Sequence, residues 1–224
     1  MKKLYTLLFF VYGFIANAQI VNIPDANFKA KLLQASPNNQ IAKSTAGLWI
    51  KIDANNDGEI QSSEASQVAT LYVNGSFISS LTGIESFTNL QSLKCCCNQL
   101  TNLDVSQNVN LTNLRCSFNQ LTSIDVSQNV NLQSLDCSSN QLTSIDVSQN
   151  VNLQDLSCSS NQLTNLDVSQ NVNLQILECS YNQLTNLDVS QNLNLNELNC
   201  SSCQLSFLNI KNNNLIWDFF GQTN

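Results

Sequence analysis

From Leu90 onward, apolar and polar positions recur with a period of 21 residues. One unit, LQSLDCSSNQLTSIDVSQNVN from Leu132, places apolar residues at Leu132, Leu135, Cys137, Leu142, Ile145 and Val147. Its short alternations, Leu135-x-Cys137 and Ile145-x-Val147, predict brief extended segments with one buried face. A polar Ser/Asn run then turns the chain. Similar units begin at Leu90, Leu111, Leu153 and Leu174, and a worn sixth, LNELNCSSCQLSFLNIKNNNL, runs from Leu195 to Leu215. A different unit, LYVNGSFISSLTGIESFTN, precedes them from Leu71 to Asn89. A single coil of this kind cannot bury its own apolar side. Stacked coils bury it against one another, so the period predicts a solenoid whose stability sums over coils and their interfaces.

The polar positions predict two ladders. Asn98, Asn119, Asn140, Asn161 and Asn182 are expected to point inward and satisfy backbone groups at the bends. Asn108, Asn129, Asn150, Asn171 and Asn192 are expected to do so on the other side. Each copy contains L-x-x-L-x-C-x-x-N-x-L, with Cys203 replacing Asn in the last. This resembles the bacterial 21-residue class of leucine-rich repeats with nested half-repeats, sometimes called IRREKO repeats. The unit at 71–89 resembles an internalin-type repeat through L-x-G-I-x-x-F-x-N-L. The resemblance implies a leucine-rich repeat solenoid, with short parallel β-strands on one side and mostly turns on the other.

Cys95, Cys116, Cys137, Cys158, Cys179 and Cys200 form an inward column where Leu is usual in such repeats. Core filling is the reading favoured by packing, because free Cys behaves as a small hydrophobe. Disulfides between adjacent coils are open on spacing, since strands lie about 4.8 Å apart, but the parallel side chains are poorly aimed for the bond's dihedral. Zinc needs converging ligands, which a straight column does not supply. Cys200-Ser201-Ser202-Cys203 has redox spacing without the βαβ context of such motifs. Cys96 and Cys97 fall at solvent-side and turn positions.

Residues 19–70 do not repeat. Pro24 to Leu33 predicts a short helix with Phe28 and Leu32 at i, i+4. The run GLWIKI reads as extended. DANNDGEIQSSEA then matches an EF-hand loop over residues 53–64. Asp53, Asn55 and Asp57 would be side-chain ligands and Gly58 the sharp turn. Glu59 would offer its carbonyl, Gln61 would hold a water and Glu64 would be bidentate, so a structural Ca²⁺ is expected. No convincing helix precedes Asp53, and a lone loop with three carboxylates should bind in the range of about 10⁻⁴–10⁻³ M. The combination IPDANF, DGEI and repeats resembles secreted flavobacterial-type leucine-rich repeat proteins. That resemblance implies a small α-helical N-terminal cap over the first coil. At the other end, residues 216–224 read as a cap, with Trp217, Phe219 and Phe220 as plugs, or as a truncated end.

Lys2 and Lys3, the apolar run Leu4–Ile15 and Ala16-Asn17-Ala18 predict a signal peptide over residues 1–18, cleaved after Ala18. The apolar run falls short of the roughly 20 residues that span a bilayer. The expected location is therefore secreted or cell-surface. Without Lys2 and Lys3, 7 of the 9 bases remain against 16 acids, a net charge of −9. That disfavours nucleic acid and anionic membranes as partners. There is no His, no nucleophile elbow and no phosphate loop. Repeated Asp residues on identical coils are not an acid/base pair with split environments, so no enzyme is expected.

The expected role is protein binding or adhesion toward a protein or cell-surface ligand, with a structural surface or assembly protein as alternative. Two solvent columns vary between copies and form the candidate binding face. Lys94, Arg115, Asp136, Ser157, Glu178 and Asn199 form one column. Cys97, Phe118, Ser139, Ser160, Tyr181 and Ser202 form the other.

Overall fold

The computed structural model describes residues 19–211. The expected signal peptide and the Trp217, Phe219 and Phe220 plug lie outside the described residues. The period of 21 becomes one coil per copy, each contributing a three-residue strand centred on an inward Leu. The strands are β3 (Ser92–Lys94), β4 (Asn113–Arg115), β5 (Ser134–Asp136), β6 (Asp155–Ser157), β7 (Ile176–Glu178) and, after β8 (Asn186–Asp188), β9 (Glu197–Asn199). Each pairs with the next coil in parallel and in strict register, so that Leu93, Leu114, Leu135, Leu156, Leu177 and Leu198 stack in one line. On the other side, β8 pairs with β10 (Phe207–Asn209), and Asp104 bridges Asp125. The rest of that side is turns, which gives a parallel-strand solenoid of about seven turns.

The sheet begins in the cap region. The first parallel strand, β2 (Val68–Tyr72), crosses the expected boundary at residue 70 and pairs with β3. Its other edge is covered by β1 (Ala42–Ser44), antiparallel. The run GLWIKI does not form that edge strand. It is the return arm of a hairpin, with Ser44 N–H on the Leu48 carbonyl, Ile50 N–H on the Ala42 carbonyl and Gly47 turning at φ 78°. Ala42 is fully buried there, whereas Leu48 is exposed.

Helix α1 (Ala26–Leu33) buries Phe28 and Leu32 completely against the open end of the first coil. It starts at Asp25, whose Oδ1 caps Phe28 N–H at 2.9 Å. The other oxygen of Asp25 accepts Ser79 N–H and Oγ at 2.8 Å and Ser80 N–H at 3.0 Å, which ties the cap to the first coil. Partial burial pushes the Asp25 carboxyl up, but these hydrogen bonds outweigh it and hold the group below its ordinary range. A second, one-turn helix α2 (Ser62–Ala65) closes the acidic loop. Gly83, at φ 105°, is pressed by the extended segment before α1. A Cβ there would stand 2.8 Å from Ile23 Cγ1 and 2.9 Å from the Asn22 carbonyl, so no larger residue fits without displacing the cap.

Both Asn ladders form. Asn98, Asn119, Asn140, Asn161 and Asn182 each donate to carbonyls of their own coil and of the coil before. Asn108, Asn129, Asn150, Asn171 and Asn192 are fully buried, and each donates to two carbonyls of the preceding coil. Among the described residues their Oδ1 atoms meet no protein donor. Cys95, Cys116, Cys137, Cys158 and Cys179 fill the core between the first ladder and the Leu line, and all nine cysteines are free thiols. Cys200 departs from the expected inaccessible column by being half-buried; it follows β9, the last strand of the eight-stranded sheet among the described residues.

Candidate binding face and acidic loop

The strand register sets the first variable column. Lys94 pairs with Arg115, Arg115 with Asp136, Asp136 with Ser157, Ser157 with Glu178, and Glu178 with Asn199. Each flanks an inward Leu, so the pleat turns it outward. Lys94 lies over the Tyr72 ring, 4.4 Å from its centroid. The acids are oriented by serines. Asp136 accepts Ser117 Oγ at 2.9 Å and Ser138 Oγ at 2.6 Å, and Glu178 accepts Ser157 Oγ at 2.9 Å. Arg115 is exposed and takes part in neither of the ion pairs among the described residues, Lys29–Glu59 and Lys51–Asp53.

The second column has a backbone reason for projecting. Cys97, Phe118, Ser139, Ser160, Tyr181 and Ser202 all adopt left-handed φ between 52° and 58°. Such a conformation costs a non-glycine residue about 1–3 kcal/mol and persists only where its surroundings impose it. In the first five copies the following Asn of the first ladder braces it by folding back onto carbonyls two and three residues earlier, and Ser202 keeps the same conformation with Cys203 in that place. Phe118 and Tyr181 are thereby held 61% and 64% exposed on a fixed backbone.

Two exposed apolar features escaped the sequence reading. Phe77, also left-handed and exposed, sits beside the column in the irregular first coil, where Gly75 takes the place of Cys97. Val109, Val130, Val151, Val172 and Leu193 form a further half-exposed column on the turn side. The only signal for the latter is the repeated N-V-N, which does not show whether Val faces in or out.

In the acidic loop, Asp53 is buried beside Ile52 and Ile60, while Asn55 and Asp57 are exposed. Gly58 makes the expected sharp turn at φ 80°. Asp57 N–H donates to Asp53 Oδ1 at 3.2 Å and to Asn55 Oδ1 at 3.0 Å. The amide of Asn55 donates to Asp57 Oδ2 at 2.9 Å and to Gln61 Oε1 at 3.1 Å, and that of Gln61 reaches Asp57 Oδ2 at 2.8 Å. The Asn55, Asp57 and Gln61 side chains thus converge. Glu64 instead accepts the Ala54 and Asn55 N–H groups with Oε1 and the Gln61 N–H with Oε2. The Glu59 side chain turns away to Lys29 Nζ at 2.6 Å. Among the described residues no three His, Cys, Asp or Glu side chains gather as a metal cluster. The N–H donated by Glu59 is the main cause holding the Asp57 carboxyl below its ordinary range.

A third acidic set lines the turn side. Asp104, Asp125, Asp146, Asp167 and Asp188 each accept the N–H of the Ser two residues on, at 2.8–2.9 Å. That bond is the main cause lowering each carboxyl below its ordinary value. The stacked acids are therefore hydrogen-bonded rather than merely opposed.

The family described as Leucine Rich repeats (2 copies) matches residues 109–150 and 130–171. No curated protein matches the chain. Among solved structures, the functional domain of InlJ from Listeria monocytogenes, described as including a cysteine ladder, is 30% identical over 88% of this chain and 53% of its own, with a TM-score of 0.44. A leucine-rich repeat protein of Leptospira interrogans is 30% identical over 61% of this chain and 41% of its own, with a TM-score of 0.53. Internalin C2 of Listeria monocytogenes is 21% identical over 87% of this chain and 92% of its own, with a TM-score of 0.57. The chain spans about half or less of the first two relatives. No helix among the described residues is long and apolar enough to cross a membrane. Period, register, Asn ladders and the repeat match agree that the chain is a leucine-rich repeat solenoid.

Proposed function

We infer that this is a secreted or cell-surface protein that binds other proteins through its strand face and has no catalytic role. The observation that carries this reading is the contrast between the two sides of each coil. The turn side repeats T-[NS]-[LI]-D-V-S-Q-N almost unchanged from copy to copy. The strand side changes at the outward positions held by Lys94, Arg115, Phe118, Asp136, Glu178 and Tyr181. Aromatic and Arg side chains are the types enriched where protein interfaces concentrate their energy. Capture of proteins from a neighbouring cell surface, with Phe118→Ala and Tyr181→Ala as controls, tests the reading. Capture that both variants leave unchanged counts against it.

The acidic loop is read as a structural Ca²⁺ site that holds the cap together. Hard oxygen donors on Asp53, Asn55, Asp57, Gln61 and Glu64, with the Glu59 carbonyl, suit Ca²⁺ and its flexible coordination. The side-chain convergence of Asn55, Asp57 and Gln61 supports this. Rotating the Asn55 and Gln61 amides by half a turn would present oxygen where nitrogen now points. The ion would fasten α2 to the loop and so steady β2 behind it.

A further inference from the structure

The variable residues of the strand face follow an order along the solenoid. In the column beside the Leu line, the basic side chains Lys94 and Arg115 lie on β3 and β4, and the acidic Asp136 and Glu178 on β5 and β7. The exposed aromatics of the second column lie in two of the same coils, Phe118 after β4 and Tyr181 after β7. Midway between β4 and β7, β5 and β6 are followed by the small Ser139 and Ser160. A twofold axis parallel to the strands and passing between β5 and β6 exchanges β4 with β7 and keeps each column on itself. It sets Arg115 against Glu178 and Phe118 against Tyr181, each twice, with Asp136 meeting Ser157 at the centre.

We propose that the strand face recognises a second copy of this chain, the two solenoids packing face to face and antiparallel, with Arg115 of each copy on Glu178 of the other and Phe118 on Tyr181. This rests on the binding-face reading and names its partner. Charge selects the arrangement. A twofold axis along the solenoid would instead lay Arg115 on Arg115 and Glu178 on Glu178, which like-charge repulsion disfavours. Arg115 is available, having no ion-pair partner in its own chain among the described residues. Glu178 is oriented by Ser157 through one oxygen, leaving acceptor capacity for a guanidinium. The self-complementary placement is the signature of an isologous interface. The face is narrow, so the association belongs with small, concentration-dependent interfaces.

Sedimentation velocity on the chain from Gln19 onward tests this. The expected result is a monomer–dimer equilibrium that shifts toward monomer in about 1 M salt, where charges are screened within a few ångströms. Arg115→Glu and Glu178→Arg should each weaken self-association about tenfold or more in a chain that remains folded, as circular dichroism would show. Mixing the two variants should restore a dimer, since each then presents the charge the other lacks. The Arg115→Glu/Glu178→Arg double variant should dimerise alone. A chain that is monomeric up to on the order of 100 µM overturns the proposal, as does a mixture that stays monomeric. If that monomeric chain still loses capture of a foreign protein on Phe118→Ala, self-recognition is refuted and the binding face stands. A dimer indifferent to every one of these substitutions overturns the proposed pairing, and the binding face is then decided by the capture experiment.

Discussion

Asn140 Oδ1 accepts the N–H of Leu121, one coil earlier, at 3.0 Å. The Nδ2 of the same amide donates at 3.1 Å to the carbonyls of Cys116, Cys137 and Ser138. One buried side chain thus satisfies four backbone groups across two coils. Asn140→Ala should cost about 3 kcal/mol or more, since an orphaned buried group costs roughly 1–3 kcal/mol. Asn150→Ala in the second ladder removes only bonds to Val126 and Asn129, because its Oδ1 is already without a protein donor. It should cost about half as much. Urea midpoints of the two variants decide, and equal losses would show that the ladders do not differ in this way.

Cys203 stands where the first ladder requires Asn. Its Sγ reaches the Cys179 carbonyl at 3.3 Å, as Asn182 Nδ2 reaches the Cys158 carbonyl at 3.0 Å one coil before. A thiol offers one weak donor in place of two amide hydrogens. Cys203→Asn should therefore stabilise the last coil by about 1 kcal/mol. Slower hydrogen exchange around β9 is the expected readout, and faster exchange there would contradict it.

Burial pushes the column thiols up, Cys137 from an ordinary 9.0 to about 12, with Cys95, Cys116, Cys158 and Cys179 also raised. Folded thiols keep their protons at pH values where unfolded ones lose them. Their contribution to stability is complete below about pH 8.5 and declines above it by up to ~1.4 kcal/mol per pH unit for each thiol. Melting temperature should fall steeply between pH 9 and 11 and fall less in Cys137→Ala. Alkylation at neutral pH should modify the exposed Cys97 first, the half-buried Cys96, Cys200 and Cys203 more slowly, and the other five only on unfolding. Rapid labelling of Cys137 in the native protein would refute the packing argument.

The Asp column works in the opposite direction. Ser N–H donors lower these carboxyls, so the contribution is present above the ordinary Asp value of about 3.9 and is lost as pH falls through the folded values. Asp146→Asn keeps an acceptor for the Ser148 N–H but loses the charge assistance. It should lower the melting temperature at pH 7 and flatten its decline below pH 4. A higher melting temperature at pH 7 would mean that repulsion from stacked neighbours outweighs the hydrogen bonds.

Calcium at 100 times its dissociation constant should add about 2.7 kcal/mol to the cap or to the whole cooperative unit. Trp49, on the adjoining hairpin with its ring 6.0 Å from that of Tyr72 on β2, should report it by fluorescence. Glu64→Gln should remove most of the effect, and magnesium should replace calcium poorly because it prefers six tight ligands and holds its waters. If millimolar calcium moves neither the melting temperature nor Trp49 emission after chelation, the loop is a hydrogen-bonded turn.

Legibility followed repetition. The inward Leu line, both Asn ladders and the Cys column were readable because each recurs at the same place in a coil, and stacking turns a period into a register. The first coil and the cap have no such second copy. Nothing local in Ala42-Lys43-Ser44 marks an edge strand, and nothing in Asp25 announces a bond to Ser79 more than fifty residues away. Phe77 was missed for the same reason, since its coil departs from the period beside Gly75.

The sequence by itself determined the solenoid and which columns face inward. Identical coils can bury their apolar sides only by stacking in register, and every copy repeats that demand. Only the tertiary structure decided the rest. The Asn119 and Asn182 amides behind Phe118 and Tyr181 reach the Cys95 and Cys158 carbonyls of the coil before. The Asp25 carboxylate meets the Ser79 and Ser80 N–H groups because the cap docks on the first coil. Such contacts depend on where whole coils lie in space, which no short stretch of residues specifies.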